Sequence, residues 1–260
     1  MKLILSCFFC LLAGASLKGQ FGFGVNASIG YQLPMTKSKL NPLAESNMFR
    51  TNPAGANAAP IGSYGSGYIG KIGIVYTFRN GIEPGIGISY QAMQNLEVSY
   101  LDMGSESNQS FNGSSFAITP IIRIKALQDK RIRPYILLGI PINLTEVSIE
   151  TKSLISSSGK YFFNQYYPRQ LVIGLQGGFG IEYKINNIWN VYSDLIATGM
   201  NFTPKKGFFT TGGDSTPTTM QERILNTKEE REKFGRSVIM PLGNWGINLG
   251  VRYNFNLQQL

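Results

Sequence analysis

Charged residues inside otherwise small-residue segments are the first candidates for chemistry in this 260-residue chain. Carboxylates beside ammonium or guanidinium groups can transfer protons, hold ions or neutralise one another. Seven such residues occupy every-other positions of alternating segments: Lys71, Glu83, Arg123, Lys125, Glu182, Asp194 and Arg252. Side chains two residues apart share one face of a strand, so all seven are expected on the polar face of a sheet.

The chain contains no histidine, which argues against catalysis by these groups. Imidazole is the usual general base near neutral pH. The two cysteines, Cys7 and Cys10, lie in the first ten residues and, without histidine, supply no zinc ligand set. We therefore expect no catalytic residue, no cofactor and no metal. The seven charged residues are interpreted as a structural plug of ion pairs, with a gated ion path as the alternative.

The clearest structural pattern lies near the end of the chain, in residues 244–255. Apolar residues from Trp245 to Phe255 alternate without interruption with asparagine, glycine and arginine, which predicts a strand with one apolar and one polar face. Seven further segments repeat the pattern, beginning near residues 21, 68, 82, 115, 136, 170 and 188. Short turns are expected near 79–81, 127–131 and 185–187, and long connections at 35–66, 102–112, 151–165 and 202–236.

The N-terminus predicts secretion. Met1-Lys2, the apolar run from Leu3 to Ala15 and the small-residue stretch from Ser16 to Gln20 have the layout of a cleavable signal peptide over residues 1–20. Loss of Lys2 and Lys18 would lower the net charge of +9 by two. The basic residues are scattered without a recognition motif, so we expect no nucleic-acid partner. Anionic lipid or lipopolysaccharide is the expected counter-charge.

These patterns predict an all-β protein: an eight-stranded antiparallel up-and-down transmembrane β-barrel over residues 21–260. No later segment has the 18 to 20 apolar residues of a spanning helix, and lipid tolerates sheets only as closed barrels. Short periplasmic turns and long outer loops put both termini on the periplasmic side. Several strands exceed the roughly 9 to 11 residues needed to span, so the wall should extend beyond the outer leaflet.

The terminal pattern Asn248-x-Gly250-x-x-Tyr253-x-Phe255 resembles the C-terminal insertion signal of bacterial outer-membrane barrels. Over nearly the whole mature chain, the pattern resembles the small OmpA/OmpX-type barrels and, more closely, the outer-membrane barrels of Bacteroidetes, including PorT-like proteins. This resemblance implies an integral protein of the bacterial outer membrane that is assembled by the barrel-insertion machinery. Known barrel hydrolases and acyltransferases resemble one another in relying on histidine, so their activities are not expected here.

The functional prediction is a non-enzymatic barrel whose outer loops bind lipid, surface polymer or protein. The first alternative, implied by the PorT-like resemblance, is an accessory subunit of a larger envelope complex for secretion or barrel assembly. The second is a small passive pore. The basic residues Lys37, Lys39 and Arg50 of the first loop are expected to meet lipopolysaccharide phosphates.

Two local predictions accompany this interpretation. Capping-box patterns that begin at Thr219 and Thr227 predict a short surface helix in the fourth outer loop, ending near Phe234. Pro84, Pro120 and Pro141 remove backbone donors within strands and are expected to mark bulges.

Overall fold

The computed structural model describes residues 22–35, 38–39, 61–62, 66–78, 80–94, 96–102, 105–127, 130–155, 159–213, 216–225, 227 and 239–255. Within these ranges the regular structure is entirely β. The described residues contain no helix long and apolar enough to cross a membrane. The predicted signal peptide, Lys37, Arg50 and the side chain of Lys39 lie outside the described part.

Seventeen strands lie within the described ranges. They are β1 (Gly22–Pro34), β2 (Ser38–Lys39), β3 (Ile61–Gly62), β4 (Gly67–Thr77), β5 (Ile82–Met93), β6 (Leu96–Asp102), β7 (Ser105–Lys125), β8 (Ile132–Gly139), β9 (Ile142–Ile155), β10 (Gly159–Ile173), β11 (Leu175–Lys184), β12 (Trp189–Gly199), β13 (Asn201–Phe202), β14 (Lys206–Gly213), β15 (Thr216–Ile224), β16 (Met240–Pro241) and β17 (Asn244–Phe255).

Eight of these strands close into an antiparallel barrel in the order β1, β4, β5, β7, β8, β11, β12, β17. The ring closes through β17 and β1, whose register runs from Phe23 opposite Phe255 to Pro34 opposite Asn244. A closed ring leaves no unpaired sheet edge within the wall. The prediction of an all-β, eight-stranded antiparallel barrel is therefore confirmed.

Short turns join the strands at one end of the barrel, here called the turn end. In the Asn80–Gly81 turn the Gly81 N–H donates to the Phe78 carbonyl at 3.0 Å, and Gly81 adopts a φ of 82°. That conformation is one that glycine reaches without a Cβ penalty. In the turn between β11 and β12, Asn186 Oδ1 accepts hydrogen bonds from the N–H groups of Ile188 and Trp189. The predicted short turns at these two places are confirmed.

At the opposite end the wall continues as an open sheet in the order β6, β7, β9, β10, β14, β15, here called the extension. It begins where strands five and six of the sequence pattern are interrupted, between β8 and β9 and between β10 and β11. The Gly174 N–H donates to the Pro141 carbonyl at 2.9 Å across this interruption. Beyond it, β7 pairs with β9 in place of β8.

The extension corrects three predicted long loops. Residues 102–112 belong largely to the β6–β7 hairpin, and residues 151–165 largely to the β9–β10 hairpin. Part of the predicted loop 202–236 forms the β14–β15 hairpin. Their sequences lack the regular alternation of apolar and polar residues that marks the barrel strands, although their backbones are paired.

The predicted helix at Thr219 is wrong, because this residue lies in β15 opposite Thr211, with the two hydroxyl oxygens 2.7 Å apart. Threonine is β-branched and stabilises a strand where a partner strand is available. Residue 226 and residues 228–234 of the predicted helix lie outside the described residues.

The prediction of bulges at Pro84 and Pro120 is also wrong, since the β5–β7 register runs through both without a shift. Pro84 lies just beyond the end of the β4–β5 ladder, and Pro120 lies where β7 changes its partner from β9 to β8. Neither position therefore requires the missing N–H. Pro141 lies in the interruption between β8 and β9.

Candidate functional site

The seven charged residues singled out in the sequence all lie on the lumen side of the barrel wall. Glu83 and Glu182 have no exposed surface, Arg252 is 2% exposed, and Arg123, Lys125 and Asp194 are also buried. Lys71 is partly buried opposite Ser28 and Ser89. Charges removed from water in this way need partners, because the cost of an unpaired buried charge is several kcal/mol.

Four of the seven form one cluster at the turn end of the lumen. Arg252 Nη1 lies 2.9 and 2.8 Å from the two carboxylate oxygens of Glu83. Lys125 Nζ lies 2.7 Å from each oxygen of Glu182 and 2.9 Å from Glu83 Oε1. Arg252 Nη1 also lies 3.4 Å from Glu182 Oε2, so two carboxylates and two cations are joined in a ring of contacts.

Three residues that the sequence analysis missed complete this charge cluster. Arg133 Nη1 lies 3.5 Å from Glu182 Oε1, and Asn190 Nδ2 donates to the same oxygen at 3.0 Å. Thr77 Oγ1 donates to Glu83 Oε1 at 2.7 Å. A signal for Arg133 was present, since continuing the alternation of strand five toward Ile132 places Arg133 on the inner face.

Arg123 lies outside the charge cluster, in a layer nearer the middle of the lumen. Its guanidinium is held between two rings, with its Cζ 5.3 Å from the centroid of Tyr135 and 5.1 Å from that of Tyr192. The Tyr135 hydroxyl donates to the Asp194 carboxylate. Desolvated cation–π contacts of this kind contribute up to about 2 kcal/mol. Arg123 is thus held by aromatic faces, and Asp194 by a hydroxyl.

Above this aromatic layer, toward the extension, the lumen contains a cavity of about 80 Å³. Lys71, Arg123, Asp194, Asn143 and Asn244 contribute polar lining, and Met200 forms part of its apolar boundary. Among the described residues, Lys71 makes no ion pair within 4.0 Å. The structure therefore does not bring Lys71 into the charge cluster.

An apolar cluster fills the extension and covers the lumen from that end. Its buried members are Phe111, Val147, Ile149, Tyr167, Val172, Met200, Phe202, Phe209, Leu225, Met240 and Leu242. Ion permeation requires a continuous polar or hydrated path. Within the described structure, the side chains of the charge cluster are packed against one another at the turn end, and buried apolar side chains lie at the other end.

The outer face of the barrel carries an apolar belt. Ile29, Ile72 and Leu175 are 76%, 65% and 72% exposed, and outward isoleucines and leucines continue around the wall. Aromatic rings border the belt at both ends. Phe23 packs against Tyr76 at the turn end, with centroids 4.9 Å apart, and Tyr31 packs against Tyr68 near the extension at 5.1 Å.

The residues of the predicted insertion signal divide between the two faces of β17. Tyr253 and Phe255 form edge-to-face contacts with centroids 4.8 Å apart, and Tyr253 also contacts Trp189. Gly250 faces the Tyr192 ring, where a Cβ would lie 2.4 Å from ring carbon Cζ. Asn248 is fully buried. The glycine is therefore required by lumen packing, independently of any recognition role.

No protein-family model matches the chain, and no curated protein matches it. Solved outer-membrane structures do. A major outer membrane protein from Thermus thermophilus is 12% identical with a TM-score of 0.47, covering 91% of this chain and 100% of that one. Neisserial surface protein A is 9% identical with a TM-score of 0.45, covering 91% and 98%. The attachment invasion locus protein Ail of Yersinia pestis is 10% identical with a TM-score of 0.30, covering 92% and 100%.

Proposed function

We propose that this protein is a non-enzymatic, non-conducting barrel of the bacterial outer membrane that binds partners through its extension. One observation carries the proposal. The barrel wall has its apolar side chains on the outer face, whereas the extension has them in its interior. A wall of this kind fits lipid, and a sheet with its own core fits a rigid binding surface outside the lipid.

The apolar belt supports the membrane assignment. Soluble monomers rarely expose contiguous apolar patches larger than a few hundred Å². Here outward apolar side chains surround the barrel and are bordered by aromatic rings at both ends, the arrangement of lipid-facing strands between two interfaces. Together with the signal-peptide pattern and the terminal aromatic pattern, this arrangement supports a location in the outer membrane.

The lengths of the connections support one orientation of the barrel. Gly22 and Phe255, the first and last described strand residues, lie together at the turn end. In outer-membrane barrels the short turns face the periplasm. We therefore place both termini in the periplasm and the extension outside the cell. Tyr253 and Phe255 would then be available to the insertion machinery during assembly.

The closed lumen supports a binding protein over a pore. Its charges are used in mutual contacts at the turn end, and the apolar cluster covers the other end. The absence of histidine from the sequence supports a non-enzymatic role. No group of three metal-binding side chains occurs in the part of the chain that the structure describes.

The extension offers two kinds of contact surface. Basic side chains above the belt, including Lys152, Arg169 and Lys206, are 58 to 70% exposed and fit lipopolysaccharide phosphates. At the far edge, β15 pairs only with β14 among the described strands, and both Met220 and Ile224 are more than 60% exposed. An exposed edge strand can add a partner strand. That edge favours the accessory-subunit role as a second candidate.

The test begins with purified protein. Unboiled protein is expected to migrate differently from boiled protein on SDS gels, and planar bilayers containing it should show no steady conductance. Equal migration would contradict a stable membrane barrel, whereas a steady open channel would contradict the closed lumen.

Partner binding is tested by mild-detergent pull-down from native outer membranes, comparing wild type with a Met220→Asp/Ile224→Asp variant. A stoichiometric protein that is lost only with this variant would support the accessory role. A Lys152→Gln/Lys206→Gln variant serves as the matched extension control, and selective loss of lipopolysaccharide from it would support lipid binding. Retention of every bound component by both variants would contradict binding through these surfaces.

A further inference from the structure

The charges in the lumen do not balance. The cations that line it are Lys71, Arg123, Lys125, Arg133 and Arg252, and the carboxylates are Glu83, Glu182 and Asp194. Among the described lumen residues, five cations thus face three carboxylates. An excess of positive charge in a space shielded from water is costly unless an anion accompanies it.

The excess is divided between the two layers of the lumen. In the charge cluster, Lys125, Arg133 and Arg252 share two carboxylates through contacts of 2.7 to 3.5 Å. Arg133 has 18% of its side chain exposed, so water solvates its charge in part. The other imbalance lies beside the cavity, where Lys71 and Arg123 share Asp194, and Glu83 adds a smaller electrostatic attraction to Arg123.

The cavity itself is suited to a small ion. Its volume of about 80 Å³ exceeds the roughly 10–15 Å³ that one water requires, and excludes a large organic ligand. Lys71 and Arg123 line it and interact electrostatically with each other and with Asp194. Asp194 also accepts the Tyr135 hydroxyl, so its charge is shared among several donors.

Buried N–H donors without partners add to this environment. Arg123 Nε and Nη1 and Asn143 Nδ2 are buried and have no hydrogen-bond partner among the described residues. Asn26 and Asn244 line the cavity too, and each has an unpartnered amide oxygen. Amide oxygen and nitrogen can exchange places by a flip of the side chain, so Asn26 can also present an N–H donor. Asn244 Nδ2 instead donates to the Leu242 carbonyl at 3.4 Å.

We propose that this cavity binds one small monovalent anion, of the size of chloride, between Lys71 and Arg123. The anion neutralises the cation that Asp194 leaves unbalanced and gives the buried N–H groups an acceptor. The site borders Arg123 and Tyr192 of the aromatic layer on the turn-end side and Met200 of the apolar cluster on the other side. It therefore acts as a structural site that stabilises the folded barrel, separate from the binding surfaces of the extension.

The direct test is crystallisation of the full mature protein refolded in bromide. An anomalous peak between Lys71 and Arg123 is the expected result. Absence of the peak at full bromide exchange, with only water in the cavity, would overturn the proposal.

A solution test uses the stability of the detergent-solubilised barrel. The unfolding midpoint should rise with chloride concentration when ionic strength is held constant with gluconate, which is too large for the cavity, because an anion that binds only the folded state stabilises it by mass action. The dependence should disappear in Lys71→Met and persist in the exposed control Lys152→Met. Equal midpoints of the wild type in both salts would contradict the site. An unchanged chloride dependence in folded Lys71→Met would also contradict the site. If that variant does not fold, the bromide experiment tests the proposal.

Discussion

The barrel and the extension share strand β7 but have opposite interiors. In the barrel half of β7, Ile118 and Ile122 face outward while Thr119 and Arg123 are buried in the lumen. In the extension half of the same strand, Phe111 is buried and its neighbour Asn112 is exposed. The backbone period of two is unchanged along β7. What changes is the face of the strand that carries the apolar side chains. The outer surface is therefore apolar around the barrel and more polar around the extension.

The change is sharpest in β9. Ile142 and Leu144 face outward at the edge of the apolar belt, whereas Val147 and Ile149 face inward and are buried. Glu146 takes the outward position between them. The edge of the apolar belt, which we propose is the membrane boundary, is thus marked in β9 by a shift of the apolar residues from even to odd positions. The two halves need different stabilising contacts, since one interior is held by ion pairs and the other by apolar packing.

The largest effect is expected from removing a carboxylate of the charge cluster. Glu83→Ala leaves Lys125 and Arg252 facing a new gap in a shielded lumen. Breaking a buried pair by removing one partner costs about 3–5 kcal/mol in the free energy of unfolding. Urea unfolding of the detergent-solubilised barrel measures this cost.

The matched control is Glu150→Ala in the extension. Glu150 contacts Lys152 at 3.1 Å, but its side chain is 42% exposed and that of the lysine 70%. Such a surface pair is worth about 0–1 kcal/mol. Similar costs for the two variants would show that the lumen is hydrated and that its ion pairs are not a core.

The second effect tests the apolar interior of the extension. Phe202 is fully buried in the apolar cluster, and Phe202→Ala should cost about 3–5 kcal/mol through lost burial and the cavity left behind. Limited proteolysis should then cut the extension faster while the barrel keeps its heat-dependent gel shift. Phe179→Ala, at a 61% exposed position of the apolar belt, is the control with a smaller expected cost, because lipid can fill the space. Loss of the gel shift in Phe202→Ala would mean that the two halves unfold as one unit.

The barrel could be predicted from the sequence because each wall strand carries its own period-two pattern and because Asn80–Gly81 specifies a tight turn. The charged lumen residues followed from the same alternation, including Lys125 and Glu182, which lie 57 positions apart and whose contact is set by the closure of the barrel. The turn chemistry and the alternation are local, so single segments reveal them.

The extension could not be predicted in the same way. Its three hairpins are local, but their assembly into one sheet depends on pairings between segments far apart in the chain, such as β10 with β14 and β7 with β9. The segment at Thr219 has a helix-capping pattern, and the pairing with β14 overrides it. The contacts of Arg123 with the rings of Tyr135 and Tyr192 likewise depend on three different strands. The shift of the pattern in β9 was visible in the sequence as Leu144 followed by Val147, and it is the signal that would have separated the two halves.

The smallest effect concerns the boundary itself, where Glu146 lies just beyond the apolar belt. A hydrogen bond from Ser114 Oγ at 2.7 Å, and then the Arg169 guanidinium at 3.1 Å, hold the pKa of Glu146 below its usual 4.5. A depressed pKa contributes stability above the ordinary value, and that stability is lost as the pH falls through the lower value of the folded state. Because this contact is solvent-screened, Glu146→Gln should lower the free energy of unfolding by about 0.5 kcal/mol or less at pH 7, and the difference from wild type should disappear in acid below both pKa values.

Unfolding curves of Glu146→Gln and wild type between pH 7 and acid measure this difference, with Glu150→Gln as the control at a position nearer the tip of the same strand. A difference that grows as the pH falls would mean that Glu146 is stabilised in its protonated form, and the edge of the belt would then extend past this residue into the extension.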